Sequence, residues 1–474
     1  MSVSKSHELA QFVSQTSFDA LPSDVVHETK RILLDSIGCA LAAGGQLKGR
    51  AGIEYAQLLG GMDSTATIFG SSQRSSILGA AFANGELINA LDFDAVLPPG
   101  HVSPYVLPGA LAVAEAEGSS GKQLITAIAI AHELANRFGK AMDYIRDVRR
   151  GEVTMPPVLG YTSTVFGAAA AIASLWGASE ETTRHALNIA GAISPVNSHR
   201  SWLEHTPVAT IKYTMAGPLV HSALTAAYMA SLGHRGDPNL LDDSEFGYPR
   251  FIGTSRWQPE ALTAELGQTW SFQRENSFKH YPHCRALHGL LDLLGETVES
   301  HSIDPSEIDE IRAWGEGHVE RASWLTNEIS DPVDAQFSIA HGLSVGAHRI
   351  PPSKAWQDED VVFDAKVAQL MGKVVYARHP DWVEAMVTDP AARPSRIEID
   401  ARGETFVAEL RYPKGTNTDD SLGTADDDLF EKFRVNAMGV LDSEQIEHCI
   451  ATAMSLETVE DVSTVLKEFG RKRG

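Results

Sequence analysis

The chain has 474 residues, 43% of them hydrophobic, which is too long for one small core and predicts two domains. A formal net charge of −23 argues against a nucleic-acid or membrane-surface partner, because phosphate binding needs a concentrated positive field. Cys39, Cys284 and Cys449 are scattered, with no Cys-x-x-Cys pair, and fit a reducing cytoplasm better than a disulfide scaffold or a zinc knuckle.

In chain order, the first half reads as successive helices. VVHETKRILLDSIGCALAA (25–43) has apolar residues at helical spacing and stops at Gly44-Gly45. AAFANGELINALDF, GALAVAEAEG, KQLITAIAIAHELANRFGKAM, VFGAAAAIASLWG and PLVHSALTAAYMASLG follow in the same style, with alanine on their inner faces. The stretch from Met155 to Ser179 carries no charge and is long enough to span a bilayer, but its Ala, Gly, Ser and Thr content predicts a tightly packed buried helix. The amino terminus lacks the basic-then-apolar pattern of a signal peptide, so a cytoplasmic protein is expected.

The character changes after Trp270. EIDEIRAWGEG reads as a strand, and SRIEIDARGETFVAELRYPKG as a hairpin turning near Arg402-Gly403. ALHGLLDLLGETVE and DAQFSIAHGLSVGA are helical patterns between them, and from about Thr424 the chain is helical again. The expected fold class is mainly α. Residues 1–268 and 416–474 would form a large helical domain and 269–415 a smaller α+β domain, with a small-molecule site in the cleft between them.

HELAN (132–136) lacks the second histidine of H-E-x-x-H, so His132 and Glu133 read as helix-surface residues rather than a zinc motif. Neither a G-x-G-x-x-G turn opening a helix nor a P-loop occurs, and nucleotide cofactors have no sequence support.

Three stretches carry convergent polar chemistry. In LDFDAVLPPGHVSP (91–104), Asp92 and Asp94 follow a helix whose carboxyl end disfavours anions, and a Pro-Pro-Gly corner leads to His101. An Asp–His pair there would suit a general acid–base, while a helix-capping loop is the plain alternative. Lys212 is the only Lys, Arg, Asp or Glu between Glu204 and Arg235, so it either snorkels or serves as an anion site or base. NSFKHYPHCRALHG (276–289) gathers Lys279, His280, His283, Arg285 and His288 in an acidic chain, as a solvated basic turn or a site for a small anion.

These stretches, in this order, resemble the MmgE/PrpD family, whose members include 2-methylcitrate dehydratase, cis-aconitate decarboxylase and iminodisuccinate epimerase. NGELINALDFDAVLPPGHVSP resembles the family's Asn-Gly, LDFDD and histidine pattern, Lys212 its lysine ahead of an Ala-Gly helix start, and FKHYPHCRALH its K-x-Y-P-x-C-x-x-x-H. The likeness runs from DSIGCALAAG to DDDLFEKF.

The resemblance implies a helical domain with an α+β lid, a homodimer, and no metal or organic cofactor. It places Asp92, His101, Lys212 and Lys279 around a small polycarboxylate, with Cys284 and His288 on family positions and His283 and Arg285 as further substrate ligands. The chemistry implied is a lyase reaction, dehydration or decarboxylation, through a carbanion-like centre. His101 held by Asp92 would be the base, Asp94 would only fix the loop, and Lys279 or Tyr161 would be the acid. Two departures stand out: Ala95 replaces an acid of LDFDD, and in PPVLGYTSTVFGAAAA Thr162 or Val158 takes the place of a family histidine beside Tyr161. Tyr161 facing Lys212 would instead suit two-base epimerisation, and a carboxylate-binding paralogue without turnover is the alternative of another class.

Overall fold

The computed structural model describes residues 3–60, 64–144, 146, 148–149, 151–153, 155–418 and 421–470. The helices of the first part are α1 (Lys5–Gln15), α2 (Ser23–Ala42), α3 (Leu47–Leu59), α4 (Ile77–Ala90), α5 (Ser103–Glu117), α6 (Gly121–Ala141), α7 (Thr164–Leu175), α8 (Glu180–Ala192), α9 (His199–Glu204) and α10 (Ala216–Ser231). Their starts carry the expected caps: Ser76 accepts from the Gly79 amide ahead of α4, and Ser120 and Gln123 form a capping box on α6. Pro104 stands in the first turn of α5, where its missing N–H costs nothing.

Small residues let these helices meet at backbone distance. The charge-free run after Met155 contains α7, buried along almost its whole length against α6. A Cβ on Gly167 would lie 2.3 Å from the Ala131 carbonyl oxygen, and Phe138 and Phe166 stack with centroids 4.1 Å apart. No helix among the described residues is long and apolar enough to cross a membrane.

His132 and Glu133 depart from expectation, since both are buried rather than on the helix surface. Glu133 accepts from Arg137 Nε at 2.7 Å and from the Ser271 and Phe272 amides, while His132 spans the Ile128 carbonyl and the Ser103 hydroxyl. The segment entering the second part of the chain covers this face of α6, a tertiary contact that α6's own periodicity does not reveal.

The second part holds a four-stranded sheet of β1 (Ile308–Gly315), β2 (Val374–Arg378), β3 (Ser395–Ala401) and β4 (Glu404–Leu410), in the order β4-β3-β1-β2. β1 and β2 are parallel and the other pairs antiparallel. Alternation along β3 buries Ser395, Ile397, Ile399 and Ala401, and Arg402 and Gly403, both at positive φ, make the two-residue turn into β4. The short, half-exposed β2 was not anticipated; VVYAR has no clean alternation to mark it. Helix His288–Ser300 packs on this sheet, and helix Asp426–Ala437 returns to α2, where Phe433 meets Gly38. The protein is mainly α with a smaller sheet-containing part.

The loop that carries His101 is pressed onto α6 at one glycine. A Cβ on Gly139 would come within 2.6 Å of Pro99 N and 2.8 Å of the Pro98 carbonyl carbon, backbone atoms that cannot rotate away. Gly139→Ala should therefore destabilise the fold by on the order of 1–3 kcal/mol, as overpacking does. Thermal melts of the variant check this, and an unchanged melt would show that the loop yields freely.

Candidate active site

A cavity of about 890 Å³ lies between the helical part and the sheet-containing part, with Asp92 on its wall. α4 ends at Ala90, and Asp92 follows at φ 52°, a left-handed conformation that Asp tolerates better than most residues. Its carboxylate is almost completely buried, yet it is held by cations. Lys279 Nζ donates to Asp92 Oδ2 at 2.6 Å and to its carbonyl at 2.7 Å, and Lys212 Nζ lies 3.7 Å from Oδ1. Burial alone would raise the carboxyl; Lys279, Lys212 and His101 outweigh it and hold it well below the usual range.

His101 reaches this cluster through a small hairpin in which Val96 pairs with His101 and Leu97 with Gly100. Its nearer partner is Asp94, not Asp92: Nδ1 is 2.7 Å from Asp94 Oδ2, and Nε2 is 3.3 Å from Asp92 Oδ1. Asp94, expected only to fix the loop, is also the hydrogen-bond partner of the ring: the left-handed turn at Asp92 sends that side chain toward the lysines and leaves Asp94 facing Nδ1. Neutral His101 has a single N–H and can serve only one of the two carboxylates, whereas the imidazolium carries an N–H on each ring nitrogen. The loop is braced from behind by Lys432, which pairs with Asp35 at 2.6 Å and donates to the Phe93 carbonyl at 2.7 Å. Asp35 also accepts from the Ala95 amide at 3.2 Å, at the position where LDFDD would carry its last acid.

Lys212, at φ 55°, approaches from the segment before α10 and donates to the Asn89 carbonyl at the end of α4 at 2.6 Å. It does not snorkel: only 1% of it is exposed. Burial pushes its ammonium down to about 7 despite the pull of Asp92.

Tyr161 also lines the cavity, stacked on Tyr213 at 4.4 Å, and Tyr213 stacks in turn on His101 at 5.1 Å. Its hydroxyl lies against Gly100, and no hydrogen bond among the described residues ties it to Lys212. Cys284 and Arg285 are on the cavity wall, whereas His283 and His288 are not. His283 is wedged against helix Ile339–Ala347, with Nε2 on the Ser338 carbonyl and Nδ1 taken by the Cys284 amide. His288 turns its Nε2 onto the His283 carbonyl. Burial pushes His283 down to about 3 and His288 well below its ordinary range, so neither adds positive charge near neutral pH. They pack the turn that presents Arg285.

Residues 7–260 match the MmgE/PrpD N-terminal domain, and residues 281–458 match the MmgE/PrpD C-terminal domain. The chain belongs to the MmgE/PrpD family. It is 24% identical to the cis-aconitate decarboxylase-like protein oryM of Aspergillus oryzae, over 97% of this chain and 96% of that one. It is 25% identical to the cis-aconitate decarboxylase of Homo sapiens over 94% of this chain and 90% of that one, and 24% identical to that of Mus musculus over 94% and 89%.

The cavity of this MmgE/PrpD chain also contains residues that sequence reasoning passed over. His199, at the start of α9, stacks on Tyr161 at 5.3 Å, and neither ring nitrogen has a hydrogen-bond partner among the described residues. Burial pushes it down to about 3, which keeps it neutral. Tyr213 adjoins Lys212 in sequence, so the run KYTMAG held a readable signal for it. His199 sits in the polar stretch SHRSWLEH, which looks like an ordinary solvated turn.

Proposed function

We propose that this protein is a cofactor-independent lyase, a dehydratase or decarboxylase, acting on a small di- or tricarboxylate through a carbanion-like intermediate. The observation that carries this reading is the Asp92–Lys279–His101 group on the cavity wall, with Lys212 buried beside it 3.7 Å from Asp92 Oδ1. Lys212 and Lys279 would take the negative charge that spreads onto a substrate carboxylate as the carbon centre gains its electron pair. In decarboxylation the carbon–carboxylate bond breaks, its electron pair stays on carbon, and the His101 imidazolium returns a proton there. In dehydration neutral His101 removes the carbon-bound proton, and Lys279 or Tyr161 protonates the departing hydroxyl. The names of the curated relatives agree with lyase chemistry.

Two-base epimerisation through Tyr161 and Lys212 is the second reading. Burial and then Asp92 push the Tyr161 hydroxyl well above its ordinary range, so it stays protonated and cannot open the reaction as the base, which leaves that step to Lys212. We also infer a homodimer in the cytoplasm, and a division into residues 1–268 with 416–474 and residues 269–415. Mass spectrometry of a panel of di- and tricarboxylates incubated with the protein tests the reading. A product lighter by carbon dioxide or water supports it, an isomer of unchanged formula favours the epimerase, and no product from any of them favours a binding protein.

Lys212 supplies a pH signature. It is charged below about 7 and neutral above, and the proposal needs it charged. The kcat/KM of the wild type should therefore fall as pH rises through about 7, and that limb should disappear in Lys212→Arg, whose guanidinium does not titrate. A rise through the same pH would make Lys212 a base instead.

A further inference from the structure

Away from the Asp92 cluster, the cavity wall carries a second set of cations whose donors are not all used. Arg285, 6% exposed, donates from Nη2 to the Lys414 carbonyl at 3.2 Å and to Thr416 Oγ1 at 3.0 Å. Its Nε and Nη1 have no acceptor among the described residues. Arg393, in the loop before β3, pairs through Nη1 with Glu316, and its other guanidinium hydrogens meet no acceptor among the described residues.

Glu316 stands just past β1 and is buried. It takes Arg146 Nε at 3.0 Å from the helical part, and His318 Nδ1 lies 3.4 Å away. Arg146 spends its remaining donors on the Pro390 and Ala392 carbonyls. Burial would raise the Glu316 carboxyl, but Arg146, Arg393 and His318 hold it well below the usual range.

The guanidinium groups here carry more N–H donors than the described residues offer acceptors. One carboxylate faces both Arg146 and Arg393. Asp292, whose charge favours the Arg285 guanidinium, already accepts from the Tyr281 hydroxyl at 2.9 Å and the Lys414 amide at 2.8 Å. Burial first, and then Arg393, push Arg285 down to about 9. A buried guanidinium with unused N–H groups is costly unless an anion joins it.

We propose that Arg285 and Arg393 form a second anion subsite, which binds a carboxylate of the substrate that does not react. Glu316 and Arg146 are positioning residues that hold Arg393 toward the cavity. Planar guanidinium forks match a carboxylate better than a single ammonium does, so this subsite selects while the lysine cluster reacts. The inference rests on the carboxylate reading above and narrows it: the substrate carries a carboxylate remote from its reacting carbon, and an analogue with a neutral amide there is rejected.

The test is isothermal titration of the intact protein with propane-1,2,3-tricarboxylate and with its terminal monoamide. Wild type should prefer the triacid by about tenfold or more, because donors built for an acceptor penalise its loss. Arg285→Gln and Arg393→Gln should cut that preference to about threefold or less, with Arg285→Lys intermediate, and Glu316→Gln should cut it too. Lys212→Ala should weaken both probes alike. A preference retained in both arginine variants, with their thermal melts unchanged, overturns the subsite alone, as does a wild type that binds both probes equally. A wild type that binds neither probe overturns the carboxylate reading together with the subsite.

Discussion

Lys212→Ala is expected to lower turnover by about 10²–10³-fold, the cost of removing one preorganised donor from a developing negative charge. Lys212 is fixed by the Asn89 carbonyl on one side and by Asp92 on the other, so its ammonium needs no reorganisation when charge appears on the substrate. The fold should survive, because Asp92 keeps its 2.6 Å bond to Lys279 and its contact with His101. Lys212→Met, which keeps most of the volume, should lose as much activity and separates the charge from the cavity that alanine leaves. Steady-state rates with circular dichroism and thermal melts check both. Near-normal turnover in either variant would remove Lys212 from the reaction.

His101→Ala should cost about 10²–10⁴-fold, the usual contribution of a positioned acid–base group. The ring lies between two carboxylates, and the shorter contact, to Asp94, decides which nitrogen presents itself to Asp92 and the cavity. Asp94→Asn is therefore a sharper probe than removal of the ring. An amide can still hold the imidazole, but it does not stabilise the imidazolium as a carboxylate does. We expect Asp94→Asn to lose a large part of the His101→Ala effect with little change in KM. Full activity in Asp94→Asn would reduce Asp94 to a loop anchor and return the pairing role to Asp92.

Asp92 and Lys212 were legible because each is a charged residue beside an apolar run, where it must find a partner, while Lys279 and His101 were placed beside them by the family resemblance. Lys212 stands alone in its stretch, and Asp92 follows the wrong end of a helix for an anion, so each implied the other's kind. The division of labour between Asp92 and Asp94 was not legible. It depends on one left-handed residue, and spacing does not show which carboxylate that turn sends to the lysines. His283 and His288 looked like anion ligands because the sequence counts charge without burial, and burial makes them neutral. Arg146, Glu316 and Arg393 lie in separate loops, where a lone charge is unremarkable. Only the docking of the sheet-containing part on the helical part brings them together.

The measurement that bears most directly on the central claim is proton NMR in deuterated water. Wild type, Lys212→Ala and His101→Ala are each incubated with a panel of di- and tricarboxylates that includes cis-aconitate. For one acid of the panel, the wild type should release carbon dioxide or water, with solvent deuterium entering the product carbon in the decarboxylation case, and both variants should be slower by the factors above. Deuterium exchange with no change of formula, or wild-type chemistry that survives in both variants, would contradict a lyase built on Lys212 and His101.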